Sequence, residues 1–245
     1  MSETAVYLES IREVYPDFSI EKVRAKDQGG QFNDILVINE EFIFRFPRYS
    51  EGIARLITEV RLLNYIKGHL SLAIPDPIFT NLKPQAANKV FMGYRMIPGE
   101  PLWREKFATI QDDITLQRLA DQLANFLKEL HSIPVESLIE DLPVQDGPEE
   151  WARMYAEVQK YLYQFMSPGA QSRVSQHFET YLDNPRLHRY TVCLRHGDFG
   201  TGNILYETKT RTIVGIIDFG ELGLGDAAID IASISCFGEE FHQRL

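Results

Sequence analysis

Asp198, Asn203 and Asp218 stand at the edges of short apolar runs, and this placement narrows the possible folds more than any other feature of the chain. Thr191 to Leu194, Ile204 to Tyr206 and Thr212 to Ile217 read as short strands. The loop His196-Gly197-Asp198-Phe199-Gly200-Thr201-Gly202-Asn203 lies between the first two, and Ile216-Ile217-Asp218-Phe219-Gly220 closes the third. Polar side chains are thus held where short strands end, after a long stretch of helical pattern. That order implies an α+β architecture rather than alternating βα units.

The rest of the chain supports this reading. Residues 5–15 could form a short amphipathic helix. Ile35 to Ile38 and Phe42 to Phe46, separated by Asn39-Glu40-Glu41, read as a hairpin. Ile53, Leu56, Ile57, Val60, Leu63 and Ile66 recur at helical spacing, and Gly68, Pro75 and Pro77 end the pattern. Val90 to Met96 reads as a strand. The break Ile97-Pro98-Gly99-Glu100-Pro101 then divides a β-rich N-terminal lobe, 1–96, from a mainly helical C-terminal lobe, 97–245. In the second lobe, helices are predicted over Leu116 to Leu130, from Pro148, over Gly169 to Leu182 and over Asp226 to Cys236.

Composition sets limits. With 25 Lys plus Arg against 35 Asp plus Glu, the 245 residues carry a formal charge of −10, the wrong sign for a general nucleic-acid binder and the right one to attract a small cation. The two cysteines, Cys193 and Cys236, lack partners at metal-ligand spacing and suit a reducing, cytoplasmic setting. The first residues lack a signal-peptide pattern, and no run has the length of a membrane span, so no membrane partner is expected. Oligomeric state is not readable.

The chemistry follows from residue type. Phosphoryl transfer from a nucleotide needs a carboxylate to orient the incoming hydroxyl and oxygen ligands for Mg²⁺ on the phosphates. Asp198 and Asn203 offer a base and an amide oxygen on one loop, and Asp218 offers a second carboxylate. Protein kinases have the same order: a loop Asp, four residues, an Asn, then Asp-Phe-Gly.

The run His196 to Asn203, with Gly215-Ile216-Ile217-Asp218 and Gly225-Asp226 to Asp230-Ile231-Ala232, resembles the aminoglycoside phosphotransferase family, which has a two-lobed, protein-kinase-like fold. Ile231 stands where that signature usually has Leu. Phe44-Arg45-Phe46-Pro47 matches the hairpin end of its 2″-phosphotransferase branch. The resemblance spans about Asp27 to Ala232. It implies Asp198 as catalytic base, Asn203 and Asp218 as Mg²⁺ ligands, and ATP or GTP as donor. It makes His196, Asp226 and Asp230 structural residues that fix the loop, the last two on the final helix.

Further site residues have weaker signals. Arg45 stands where kinase folds commonly have a phosphate-binding Lys, with Glu59 as its helix partner; a surface ion pair is the alternative. Gly29, Gly30 and Phe32 would form a phosphate-covering turn, and Tyr94, Met96 and Ile97 a hinge that meets the purine. Among carboxylates that could receive a cationic acceptor, Glu221 is favoured. Members of the family usually continue well past the helix of Asp230. The resemblance therefore implies a second lobe without the last helices, as a fragment or with a reduced acceptor site.

The expected activity is transfer of a γ-phosphate to a small-molecule hydroxyl, with an aminoglycoside as the first acceptor class. The alternatives are an amino alcohol, a sugar or a homoserine-like metabolite as acceptor, or nucleotide binding without turnover. His-Gly-Asp in place of His-Arg-Asp, and the lack of Ala-Pro-Glu after Gly220, weigh against a protein kinase.

Overall fold

Alternation along one strand organises the first lobe. The computed structural model describes residues 2–25, 32–83 and 86–245. Its first lobe comprises α1 (Glu3–Val14), β1 (Val23–Ala25), β2 (Asn33–Ile38), β3 (Phe42–Pro47), α2 (Ser50–Ile66), β4 (Phe79–Asn81) and β5 (Phe91–Arg95). The five strands form one antiparallel sheet in the order β1-β2-β3-β5-β4. Side chains of a strand alternate between faces. Phe42, Phe44 and Phe46 therefore share one face of β3 and pack with Tyr7 and Ile11 of α1, while Arg45 shares the other face with Ile43, toward α2. The β2–β3 turn places Asn39 and Glu40 at φ 55° and 58°, the left-handed pair that a tight hairpin requires. Asn39 holds the turn in place by accepting from Glu21 N and Lys22 N and donating to Ser19 O.

The second lobe holds β6 (Glu100–Pro101), α3 (Arg104–Phe107), α4 (Asp113–His131), α5 (Glu136–Ile139), α6 (Pro148–Glu157), α7 (Pro168–Leu182), β7 (Val192–Arg195), β8 (Ile204–Glu207), β9 (Thr212–Ile216), β10 (Gly223–Asp226), α8 (Ala228–Ser233) and α9 (Glu239–His242). Strands β6, β8 and β9 form one small sheet, and β7 pairs with β10 in another. Helix α4 starts on an Asp112 cap that accepts from Thr115 N. It buries Leu119, Leu123, Phe126, Leu127 and Leu130 beneath these strands. The result is a two-lobed, kinase-like α+β fold.

Two elements differ from expectation. Asp226 ends β10 instead of lying on the helix predicted over Asp226 to Cys236, which begins as α8 at Ala228. The register Gly225↔Cys193 and Asp226↔Val192 draws the segment into a ladder, and the Asp226 carboxylate then accepts from Ala228 N at 2.9 Å. The helix from Pro148 does not continue as a regular α-helix. It passes through a π turn at Val158–Leu162 and a tighter turn at Tyr163–Phe165 before α7 starts at Pro168. Among the described residues, no helix is long and apolar enough to cross a membrane.

Candidate active site

Two buried phenylalanines anchor the two acidic segments. Phe199 follows Asp198 and Phe219 follows Asp218, and both are fully buried. Phe199 stacks on Phe126 of α4 with ring centres 5.6 Å apart, and Phe219 lies 4.6 Å from the His196 ring. Each aspartate is therefore presented from a chain whose next side chain is locked in the core.

His196 is buried between them and is held at both nitrogens. Nε2 donates to Ile217 O at 3.1 Å, and Nδ1 accepts from Asp198 N at 3.2 Å, which defines the neutral tautomer. Burial depresses its pKa and so favours that neutral form. The ring thus joins the backbone of the Asp198 loop to the residue before Asp218. Asp230, also fully buried, accepts from His196 N and Gly197 N at 2.8 Å and from His131 Nε2 at 2.9 Å. Burial works against its charge, but these donors outweigh it and keep the carboxyl below the usual range.

Asn203 faces Asp198 across the loop. Its Nδ2 donates to Asp198 O and to Asp198 Oδ2, both at 2.9 Å, which turns its oxygen away from these partners. Its backbone oxygen accepts from Ile217 N at 2.9 Å, bringing the next residue, Asp218, alongside. Asp218 is at φ 62°, an uncommon conformation for a residue with a side chain, and half of its side chain is exposed.

Arg45 closes the site from above. Its Nη1 lies 2.5 Å from Glu59 Oε1 and its Nη2 lies 3.5 Å from Asp218 Oδ1. The Arg45 and Glu59 side chains are only 8% and 3% exposed, so the surface-pair alternative does not hold. Burial opposes the Arg45 charge, but Glu59 outweighs it and the guanidinium pKa is raised. Burial lifts the Glu59 carboxyl above its ordinary value against the pull of Arg45.

The other sequence candidates are distributed around this centre. Tyr94 is buried on β5, where burial pushes its phenol up to about 12. Met96 N donates to Glu41 O at 2.7 Å, so a purine at this hinge would use other groups. Ile97 packs over Gly215, at the end of the strand that leads to Asp218. Phe32 carries the Arg55 guanidinium over its ring at 4.7 Å; Gly29 and Gly30 lie outside the described residues. Glu221 is not a free carboxylate. It pairs with Arg55 Nη1 at 2.8 Å beside a cavity of about 270 Å³ between α2 and the Gly220–Leu224 segment.

The donor set suits Mg²⁺. Asn203 and Asp218 supply hard oxygen atoms. Among the described residues, no group of three or more His, Cys, Asp or Glu forms a complete metal cage. An ion held by one or two side chains and completed by phosphate oxygens and water matches that arrangement.

Sequence reasoning missed Arg195 and Asp146. Arg195 Nε donates to Asp146 Oδ2 at 2.7 Å, and both side chains are nearly buried. The available signal was a charged residue ending the apolar run Val192-Cys193-Leu194, directly before His196. No local pattern pointed to Asp146 as its partner.

Viomycin phosphotransferase of Streptomyces vinaceus is 27% identical over 225 residues, 88% of this chain and 74% of that protein. The GDP and kanamycin complex of APH(2")-IIIa superposes with a TM-score of 0.88 at 29% identity, covering 97% of this chain and 80% of the other. The GDP complex of wild-type aminoglycoside 2'-phosphotransferase-IIIa gives 0.89 at 29% identity, over 100% and 81%. A profile of the phosphotransferase enzyme family matches residues 25–245, and the chain belongs to that family, with a structure like that of the aminoglycoside 2″-phosphotransferase branch.

Proposed function

We propose that this protein transfers the γ-phosphoryl group of ATP or GTP to a hydroxyl of a cationic small molecule, with an aminoglycoside as the first acceptor to test. The observation that carries the reading is the Asp198–Asn203–Asp218 arrangement. Asn203 is tied through its amide nitrogen to Asp198, and its backbone oxygen binds the residue before Asp218. Asp198 is placed to accept the proton of the acceptor hydroxyl as that oxygen attacks phosphorus. Asn203 and Asp218 would hold Mg²⁺, which when bound neutralises charge on the phosphates. Arg45 is fixed by Glu59 to meet the phosphates with its second nitrogen.

Viomycin and kanamycin appear in the names of the relatives, and a net charge of −10 favours a cationic acceptor. The solved relatives with GDP make GTP a donor to test beside ATP. The free thiols Cys193 and Cys236 suit the reducing cytoplasm, and burial pushes Cys193 up to about 11, away from reactive thiolate.

The test is transfer of labelled γ-phosphate from each nucleotide to a panel of aminoglycosides and amino alcohols. Asp198→Asn should lower kcat by about a hundredfold to ten-thousandfold, with nucleotide affinity near wild type. Turnover by that variant at the wild-type rate would remove Asp198 from the base role.

A further inference from the structure

We propose that Arg195 and Asp146 are positioning residues that set the Asp198 loop against the segment following Asp218. The inference rests on the function proposed above and adds a role that the family signature residues do not cover.

Arg195 is the last residue of β7, and His196 begins the loop. Its guanidinium reaches three places at once. Nε and Nη2 grip the two oxygens of Asp146 at 2.7 and 3.2 Å, Nη2 also reaches Gln145 Oε1 at 2.5 Å, and Nη1 donates to Glu221 O at 2.9 Å. One planar group therefore spans the strand that enters the loop, the backbone three residues after Asp218, and the segment before α6. A lysine ammonium lacks the fork needed to hold these directions together.

The surroundings are built around the pair. A Cβ at Gly197 would overlap Arg195 Nη1 and stand 2.6 Å from Glu221 O, and Gly197 is at φ 83°. A Cβ at Gly225 would overlap Asp146 Oδ2 and stand 3.0 Å from Arg195 Nε. Both glycines thus leave space that the ion pair fills. Asp146 is at φ 66° and is held there from several sides. Its N–H donates to Glu150 Oε2 at 2.8 Å, its carboxylate accepts from Asp226 N at 3.2 Å, and its carbonyl accepts from the Tyr181 hydroxyl at 3.3 Å. Through Glu150 of α6 and Tyr181 of α7, the helical pair is joined to the strand that feeds Asp198.

The spacing between Asn203 and Asp218 decides whether both can bind one ion, and partners that orient metal ligands from behind are worth about ten- to a hundredfold in affinity or activity. The experiment measures nucleotide binding by calorimetry with and without magnesium in Arg195→Lys and Asp146→Asn, beside thermal melting and transfer kinetics. In each folded variant, metal-free nucleotide affinity should stay at the wild-type value. The tightening caused by magnesium should fall about tenfold and kcat with it, while the acceptor KM changes little. The double variant should be little worse than Arg195→Lys alone, because the grip on Asp146 is already lost there together with the contacts to Gln145 and Glu221. Gly225→Ala, which leaves both side chains chemically intact but takes their space, should reproduce the defect and covers the case in which Arg195→Lys does not fold. Lower melting temperatures with wild-type magnesium dependence would make the pair a structural one and overturn the inference. A wild-type protein that binds magnesium nucleotide but phosphorylates no acceptor would overturn the proposed function and leave this inference to the binding data.

Discussion

Arg45 shows how much a single buried charge depends on its neighbour. Strand alternation turns it from the phenylalanine face of β3 toward α2, where helical spacing with Leu56, Val60 and Leu63 brings Glu59 to the same buried side. Neither charge is solvated. Removing one partner of such a pair leaves the other buried and uncompensated, a cost of about 3–5 kcal/mol. Glu59→Gln should therefore destabilise the protein by that order in urea unfolding, and nucleotide affinity should fall as Arg45 loses its orientation. A change below measurement error would show that Arg45 finds another partner. His196 and Asp230 illustrate the complementary device, in which backbone amides, not a counter-ion alone, stabilise the buried acid.

Among the elements, α4 links packing to the site. Its Phe126 ring lies nearly parallel to Phe199, with an interplanar angle of 6°, and Phe199 is the neighbour of Asp198. Phe126→Ala should cost about 3–5 kcal/mol by leaving a cavity. It should also lower kcat in protein that is still folded, because the loop loses its anchor; an unchanged kcat at low temperature would separate packing from catalysis. The stripe that forms α4 was legible because Leu116, Leu119, Leu123, Phe126, Leu127 and Leu130 follow helical periodicity, and the β2–β3 hairpin was legible from two apolar runs around Asn39. β10 was not, because Gly223-Leu224-Gly225-Asp226 lacks strand-forming side chains and becomes a strand only by pairing with β7. The acidic centre was readable because its three residues lie close in sequence. The Arg195–Asp146 pair was not, because its partners meet only after α6 and α7 have brought the intervening chain back to β7.

For the whole molecule, buried titratable groups set the response to acid. His196 has a depressed folded pKa, so the unfolded chain binds the extra proton first, and stability should begin to fall as pH drops below the unfolded value of about 6.5. Asp230 is also depressed, so its contribution is intact above about 3.9 and is lost as pH falls through its lower folded value. Urea midpoints measured against pH should decline in these two stages, and Asp230→Asn should remove the second at the expense of lower stability near neutrality. A midpoint flat from pH 7 to 5 would contradict the buried neutral His196.

The two apolar clusters do not coincide with the two lobes. Leu56, Val60, Leu63 and Ile66 of α2, with Met92 and Tyr94 of β5, belong to the same continuous core as α4 and the strands around the site, while α1 and the phenylalanine face of β3 form a separate cluster. The mechanical seam of the molecule thus runs through the thickness of the first sheet, not across the connection after Arg95. Opening the cleft should strain a shared interior, whereas removing α1 should uncover the phenylalanine face of β3, the strand whose opposite face carries Arg45.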